Sequence, residues 1–414
     1  MKKNMRHEQT APSSVLLASA PLALAYLLLP FCEAAGRFGL AGRGPDWLTP
    51  HWPWLALAGV GLFASLGMKS KGARQHPLGP LLTLAALCGG ATLAALAAWQ
   101  APLPGEEALR RLAWLNEAAP LAYMGLAALW VTSFGAPAAR TFALFGAALG
   151  TLSLVDAGLS SVFVHHLAPG GLLLSPQGGE TRACLLGAAL LLGVDDKSRQ
   201  GQYPAWTTIL VMGGLLVSGS PMALLACGAA YLFLSRERIE ARIGFALACA
   251  GGVLSPLLGG PAALEGRMQV YVLWAAGVER FSVEPLGLLT GFGPGILELN
   301  LPVELASVLG MPGVSFTLPP SEISSFWLRL GLVWGIVPIL FVLGAGLLLT
   351  GLTQGRAIAA LTALIITMGT VFPLFFAGAP AMALSLAVAC LLAGQGTQGD
   401  AESVSTPSPE NPPA

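Results

Sequence analysis

The sequence predicts an all-α integral membrane protein, a polytopic bundle of about twelve transmembrane helices with one large outer loop. Of the 414 residues, 55% are hydrophobic and only 10% are charged, whereas soluble domains carry about 25% charged residues. Long apolar segments recur along the chain, and basic residues cluster in alternate connections between them. The formal net charge is zero. No global positive field therefore favours nucleic acid, and no nucleic-acid partner is predicted.

Segments of roughly 17–25 apolar residues can cross a bilayer as helices, because a helix satisfies its own backbone hydrogen bonds. About twelve candidates follow from this criterion. They lie near residues 14–33, 52–68, 78–99, 118–135, 140–162, 182–194, 205–219, 221–235, 241–258, 325–350, 356–374 and 377–394. The sixth candidate is short. The seventh and eighth meet at Ser218-Gly219-Ser220-Pro221, where we expect a tight turn or a break.

The distribution of charged residues predicts the orientation of these spans. With a cytoplasmic N-terminus, the cytoplasmic connections carry the basic residues Lys69, Lys71, Arg74, Arg140, Lys197, Arg199, Arg236, Arg238, Arg242 and Arg356. The opposite connections hold acids more freely, namely Asp46, Glu106, Glu107, Glu117 and Glu180. This positive-inside pattern predicts that both termini are cytoplasmic and that residues 259–325 lie outside.

This topology divides the chain into four parts. Residues 1–258 form an N-terminal bundle of about nine spans, and 259–325 form the large loop. Residues 326–394 hold the C-terminal spans, and 395–414 form a polar, Pro-rich cytoplasmic tail that we expect to be disordered. The six cysteines nearly all lie in or beside apolar runs without paired spacing, so we interpret them as packed thiols. No zinc, haem or nucleotide-binding motif is present in the sequence, and neither a metal nor a cofactor is predicted.

The segment 259–338 combines Arg, Glu, Gly, Pro and aromatic residues between hydrophobic spans. Arg267 and Arg280 lie on its predicted outer face, against the positive-inside rule. A guanidinium offers planar, bidentate donors that suit phosphate oxygens, so both residues are candidates for holding a lipid pyrophosphate. The alternative is a simple ion pair, since Glu265 and Glu279 are close in sequence.

Glycines recur in the middle of the same segment. Gly291, Gly293 and Gly295 surround Pro294, which suggests a bent backbone that a ligand or a helix can approach closely. No strand precedes them, so they are not a dinucleotide-binding fingerprint. A structural turn is the simpler interpretation.

A polar cluster closes the segment directly before the tenth predicted span. Glu322 and Ser324 lie within it, and Arg329 follows. A carboxylate beside a low-dielectric surface can act as a general base, so we consider Glu322 and Ser324 catalytic candidates and Arg329 a further site candidate. The alternative is that Ser321 caps the following helix and Glu322 favours the positive end of its dipole.

Asp156 is an acid within the fifth predicted span, about two turns from its outer end. Intramembrane acids are costly, and they point to function by default. A hydrogen bond to nearby Ser160 or Ser161 would also account for it. Both interpretations stay open at this point.

Several features follow one another in the second half of the chain, namely Gly266-Arg267, Trp274, Pro285, Gly287, Gly291-x-Gly293 and the polar cluster that leads into the tenth span. This order resembles the O-antigen ligase and O-antigen polymerase family. The resemblance covers roughly residues 165–350. Weaker similarity lies upstream, in Ser175-Pro176-Gln177 and in Val217-Ser218-Gly219-Ser220.

The resemblance implies a bacterial inner-membrane glycosyltransferase with a GT-C-like helical fold and one large periplasmic loop. Its donor would be an undecaprenyl-pyrophosphate-linked glycan, and its acceptor a hydroxyl on a glycan or a lipid. In that mechanism Arg267 holds the pyrophosphate leaving group, while a base near the outer end of the tenth span activates the acceptor. Membrane lipids and polysaccharide assembly proteins are further partners that the family implies.

The chain departs from the family pattern at two positions. Pro221 stands where the family has a basic residue, and the family's histidine falls on or near Ser324. Because serine alone is a poor base, Glu322 is the nearest ionisable substitute, or catalysis in this chain is altered. The stretch from Leu318-Pro319 to Gly335 also resembles the shape, elongation, division and sporulation peptidoglycan polymerases, although their acidic residues are missing here.

Two alternatives belong to other functional classes. One is a flippase or transporter for a lipid-linked glycan, for which inverted repeats, broken helices and midplane polar residues are typical. The sequence shows no repeat and one intramembrane acid, Asp156, which favours the enzyme. The other alternative is a catalytically silent partner in envelope assembly, suggested by the missing family histidine and basic residue.

Overall fold

The computed structural model describes the following parts of the chain. These are residues 12–28, 117, 120–128, 130–131, 134–137, 139–163, 179–200, 205–218, 220, 224–225, 227–228, 275, 277–293, 325–352, 356–370, 372, 374–376 and 378–403. Within these ranges the chain forms helices, turns and irregular connections, and no strand. The predicted all-α class is confirmed for this part of the protein, while the number of spans stays a prediction.

The helices of the N-terminal half are α1 (Pro12–Ala23), which continues as a π-helix over Leu24–Leu28, α2 (Ala139–Phe163), α3 (Gly179–Gln200) and α4 (Ala205–Val217). Those of the C-terminal half are α5 (Gly287–Thr290), α6 (Phe326–Trp334), α7 (Ile336–Leu352), α8 (Arg356–Gly369), a 3-10 turn at Leu374–Phe376, and α9 (Gly378–Ser403). Residues 120–128 and 277–283 are also helical.

Two helices differ from the predicted spans in length. The sixth span was predicted at 182–194, yet α3 runs over 22 residues, Gly179–Gln200. The hydropathy pattern stops at Asp195 and Asp196, whereas the helical backbone continues through these charged residues. At the C-terminus α9 extends to Ser403, beyond the position where the polar tail was predicted to begin.

The tenth span was predicted as one helix over 325–350, and this prediction is wrong. The chain forms two helices there, α6 and α7, separated by Gly335 with φ 79° and ψ −169°. This backbone conformation is essentially restricted to glycine. The amide of Gly335 still donates to the Gly331 carbonyl at 2.9 Å, so α6 ends in a hydrogen-bonded turn before α7 begins.

Helices α2, α3 and α4 pack closely through glycines. A Cβ atom added at Gly150 of α2 would lie 2.3 Å from the Leu210 carbonyl oxygen of α4, and one added at Gly214 would lie 2.5 Å from the Gly150 Cα. Gly146 meets Ala189 of α3 in the same way. Such small-residue contacts are typical of helix packing in membranes.

Helix α2 buries polar side chains as well as apolar ones such as Phe142 and Leu149. Its buried side chains include Ser153, Asp156 and Ser160, whereas Leu144 and Val155 are exposed. Among the described residues, Arg140–Ser160 is the one apolar helical stretch of at least 18 residues, with the length and composition to cross a bilayer.

The C-terminal helices complete the core around α3, against which α8 and α9 pack. Gly187 of α3 lies against Leu364 of α8 and the sulfur of Cys227. Cys184, Cys227 and Cys390 are free thiols, and Cys184 and Cys227 are buried in the hydrophobic core. For these three residues the predicted packed-thiol state is confirmed.

Candidate functional site

Helix α6 starts at a fixed position against the end of α8. The hydroxyl of Ser325, the residue before the helix, accepts a hydrogen bond from the Leu328 amide and donates one to the Gly369 carbonyl, both at 3.2 Å. The indole of Trp327 donates to the Ile366 carbonyl at 3.0 Å. A serine in this capping role satisfies an amide that would otherwise lack a helical partner.

One turn into α6, Arg329 forms a buried ion pair with Glu117. Its Nε lies 2.5 Å from Oε1 of the glutamate, and the two side chains are 3% and 2% exposed. The guanidinium carbon of Arg329 also lies 4.3 Å from the ring centroid of Phe376, a cation–π contact. Charges this deeply buried are tolerated when they are paired in good geometry.

Helix α6 also packs against residues 277–293. Gly277 lies against Leu328 and Leu332 of the helix. The amide of Phe292 donates to the Leu332 carbonyl at 2.8 Å, and the amide of Gly293 donates to the Val333 carbonyl at 3.0 Å. These bonds satisfy carbonyls at the C-terminal end of α6, which have no partner within the helix.

The glycines of this segment allow backbone to lie directly on backbone. Gly291 has φ 72°, and a Cβ atom there would be 2.2 Å from the Val333 carbonyl oxygen. A Cβ atom at Gly335 would be 2.3 Å from the Leu289 carbonyl oxygen. The element that closely approaches Gly291 is therefore the C-terminal end of α6. Gly293 has φ 84° and open space around its Cα.

Arg280 pairs with an acid that the sequence analysis did not single out. Its Nη2 lies 3.0 Å from Oε2 of Glu284, one helical turn ahead. Its guanidinium also lies over the ring of Phe292, with 4.9 Å to the centroid. Because the pair is solvent-accessible, it contributes little to stability. Arg280 therefore contacts Phe292, whose amide donates a hydrogen bond to the C-terminal end of α6.

A second polar cluster joins the ends of α2, α3 and α4. Oδ2 of Asp156 lies 3.9 Å from Nη1 of Arg182, and both side chains are buried. The sequence suggested a hydrogen bond between Asp156 and Ser160, and the Ser160 hydroxyl does donate to Asp156, but to its main-chain oxygen. Beside this pair, the hydroxyl of Ser220 donates to the carboxylate of Glu180.

Four predicted site residues, Arg267, Gly295, Glu322 and Ser324, lie outside the described residues. The last two lie three residues and one residue before Ser325 in the sequence. The structure brings Arg280, Gly291 and Gly293 together in the segment that packs against the C-terminal end of α6, whereas Arg329 lies in the first half of that helix. Asp156 belongs to the separate cluster with Arg182.

Three charged partners were missed as site residues, namely Glu117, Glu180 and Arg182. Glu117 and Glu180 were interpreted as acids of outer loops. Each stands directly before an apolar run, and this position is the signal that could have indicated a buried carboxylate at a helix end. Arg182 follows Glu180 by two residues and also stands directly before an apolar run, so its position could have indicated a buried charge in the same way.

The arrangement provides charged side chains held in fixed positions at the ends of apolar helices. Within the described ranges no group of three or more His, Cys, Asp and Glu side chains could hold a metal ion. Comparison of the chain with protein-family models, with curated proteins and with solved structures found no match.

Proposed function

We propose that this protein is a polytopic glycosyltransferase of the bacterial inner membrane, which polymerises or ligates a surface polysaccharide. It would transfer glycan from an undecaprenyl-pyrophosphate donor to an acceptor hydroxyl on the periplasmic face, as the resemblance to the O-antigen ligase and polymerase family implies. The observation that carries the proposal is the anchored start of α6. Glu322 and Ser324 lie within four residues before a helix that Ser325 and the Arg329–Glu117 ion pair attach to the bundle.

Embedding in a membrane is supported by the exposed apolar side chains of two neighbouring helices. On α2 the acid Asp156 is buried while Val155 and Val162 are exposed, and on α4 the exposed side chains include Trp206 and Ile209. In water such a surface would be costly, whereas in a bilayer it faces lipid and the polar residues face the bundle interior.

The buried charges support a polar site at one end of the bundle. Glu117 and Arg329 lie at the starts of the predicted fourth and tenth spans, and Asp156 and Arg182 lie toward the end of the fifth and at the start of the sixth. The predicted topology assigns all four positions to the periplasmic side. A site for a lipid-linked donor that has crossed the membrane would be needed on that side.

In the proposed mechanism, charge that develops on the departing pyrophosphate is stabilised by Arg267. A guanidinium can bind two phosphate oxygens at once and is suited to a leaving group of this kind. Glu322, with Ser324 beside it, would remove the proton from the acceptor hydroxyl. A residue that performs this step must be held in place, and the capped start of α6 provides that support.

The test is the pool of undecaprenyl-pyrophosphate-linked glycan in a deletion strain. The strain is complemented with the wild type, with Arg267→Ala, or with Arg140→Ala as a matched control on the predicted cytoplasmic side. Short lipid-linked repeat units in the deletion and in Arg267→Ala support a polymerase, and long lipid-linked chains support a ligase. An unchanged pool in the deletion strain overturns the proposal, and normal product from Arg267→Ala removes the role given to that residue.

The helix break at Gly335 favours a second candidate, a flippase for the lipid-linked glycan. Discontinuous helices are a recurrent feature of transporters, and α6 and α7 form one. The side of the membrane on which the lipid-linked glycan accumulates in the deletion strain separates the two functions. Accumulation on the cytoplasmic side supports the flippase, whereas accumulation on the periplasmic side supports the transferase.

A further inference from the structure

The predicted periplasmic loop contains an apolar surface that faces outward. In the stretch Pro285–Thr290, Leu286 is 74% exposed, and Leu288 and Leu289 are exposed as well. Three outward leucines within four positions are more than the scattered apolar residues of an ordinary protein surface.

Charge is distributed unevenly along the segment 277–293, which contains these leucines. Glu279, Arg280 and Glu284 all lie in its first part, where Arg280 and Glu284 pair at 3.0 Å. Residues 285–293 contain no Asp, Glu, Lys or Arg. The segment thus has a charged half, which also exposes Val278 and Val283, and an uncharged half, to which the outward leucines belong.

The uncharged half lies next to the first turns of α7. A Cβ atom at Gly335, directly before that helix, would be 2.3 Å from the Leu289 carbonyl oxygen, and α5 packs against α7. The exposed side chains of α7 near this junction are also apolar, namely Val337, Leu340 and Phe341. The leucines of α5 therefore extend an apolar surface that begins on α7.

The length of α7 relates this surface to a bilayer. Its 17 residues carry no charged side chain, and at 1.5 Å per residue they extend about 25 Å, close to the thickness of the hydrocarbon core. With α7 in that core, its N-terminal end at Ile336 lies near one interface. The uncharged half of the segment then lies at the same interface, with its charged half toward the headgroups.

We propose that residues 285–290 insert into the lipid leaflet at the N-terminal end of α7. The leucines contact acyl chains, and Glu279, Arg280 and Glu284 stay at the level of the headgroups. The partner is the phospholipid surface itself, because apolar side chains beside a charged stretch match the boundary between headgroups and acyl chains. The inference rests on the membrane location in the proposed function and is independent of glycosyl transfer.

The test uses the full chain with its six native cysteines replaced by alanine and one new cysteine in each variant. Leu286→Cys and Leu289→Cys report on the segment, Phe341→Cys on α7, and Glu279→Cys on the charged half. All four positions are exposed, so the new cysteines do not alter buried packing relative to the cysteine-free chain. Each variant is spin-labelled in vesicles of phosphatidylethanolamine and phosphatidylglycerol, and collision rates with oxygen and with a water-soluble nickel chelate are measured.

The ratio of oxygen to nickel collisions is expected to be high at positions 286, 289 and 341 and low at position 279. A low ratio at 286 and 289 with a high ratio at 341 overturns the insertion while the membrane location stands. A low ratio at 341 as well overturns the membrane location itself. Labels at 286 and 289 that are immobile and inaccessible to both reagents show that protein covers the surface, such as a second copy, and also overturn the proposal.

Discussion

Arg329 donates a hydrogen bond from its Nε to Oε1 of Glu117 across 212 positions of the sequence. Glu117 lies three positions before the helical residues 120–128, and Arg329 lies in α6, so the pair connects the predicted fourth and tenth spans. Both side chains are almost completely buried. An ion pair in such a place specifies which helices meet, since either charge alone would be costly there.

Replacing Arg329 by methionine should destabilise the protein by about 3–5 kcal/mol, because it leaves the Glu117 carboxylate buried without its cation. Thermal unfolding in detergent, followed by tryptophan fluorescence, measures the loss. The matched control is Arg280→Met, which removes an exposed pair with Glu284 and should cost at most about 1 kcal/mol. The double variant Glu117→Leu with Arg329→Met should recover part of the stability, and equal losses for Arg329 and Arg280 would contradict the prediction.

The contact between α2 and α4 predicts a steric effect at Gly150. Gly150→Ala places a methyl group 2.3 Å from the Leu210 carbonyl oxygen, so the helices must separate, at a cost of about 1–3 kcal/mol. Gly158→Ala in the same helix meets no atom within 4 Å. That control should be neutral or stabilising by about 0.5–1 kcal/mol. The unfolding midpoints of the two variants compare them directly, and similar midpoints would argue against close packing at Gly150.

The break between α6 and α7 predicts a conformational effect at Gly335. Alanine there would adopt a backbone conformation that costs about 1–3 kcal/mol, and its methyl group would also meet the Leu289 carbonyl oxygen. Gly344→Ala, within α7 and without neighbours inside 4 Å, is the control. We expect Gly335→Ala to unfold at a clearly lower temperature and to expose 277–293 to limited proteolysis. Wild-type stability of this variant would mean that α6 and α7 can form one continuous helix.

Loss of the Ser325 hydroxyl should affect stability and product formation together. Ser325→Ala removes the cap of α6 and the bond to Gly369, and a cap is worth about 1 kcal/mol. Because Glu322 and Ser324 lie within three residues before Ser325, lipid-linked glycan should accumulate in a strain that carries the variant. Ser282→Ala removes an exposed hydroxyl that donates to the nearby Glu279 carbonyl, and should leave both measurements unchanged. Full product from Ser325→Ala would show that the start of α6 does not support the site.

Local patterns in the sequence predicted much of the fold. The apolar run at 140–162 predicted α2, which extends over Ala139–Phe163, and the run at 205–219 predicted α4, which extends over Ala205–Val217. The glycines near 291 predicted a bent backbone that another element approaches. These features follow from neighbouring residues, because hydropathy and glycine content act within a few turns of chain.

Composition and local order alone thus determined the helical class, several helix bounds and the unusual chemistry of the segment 259–338. The partners of the charged residues were decided by tertiary structure. Glu117 and Glu180 have the sequence pattern of solvated loop acids, and only packing brings Arg329 to the former and Ser220 to the latter. The break at Gly335 likewise depends on backbone supplied by Leu289. The physical reason is that burial and pairing depend on which distant helices pack together, and the local periodicity of a sequence does not indicate which helices those are.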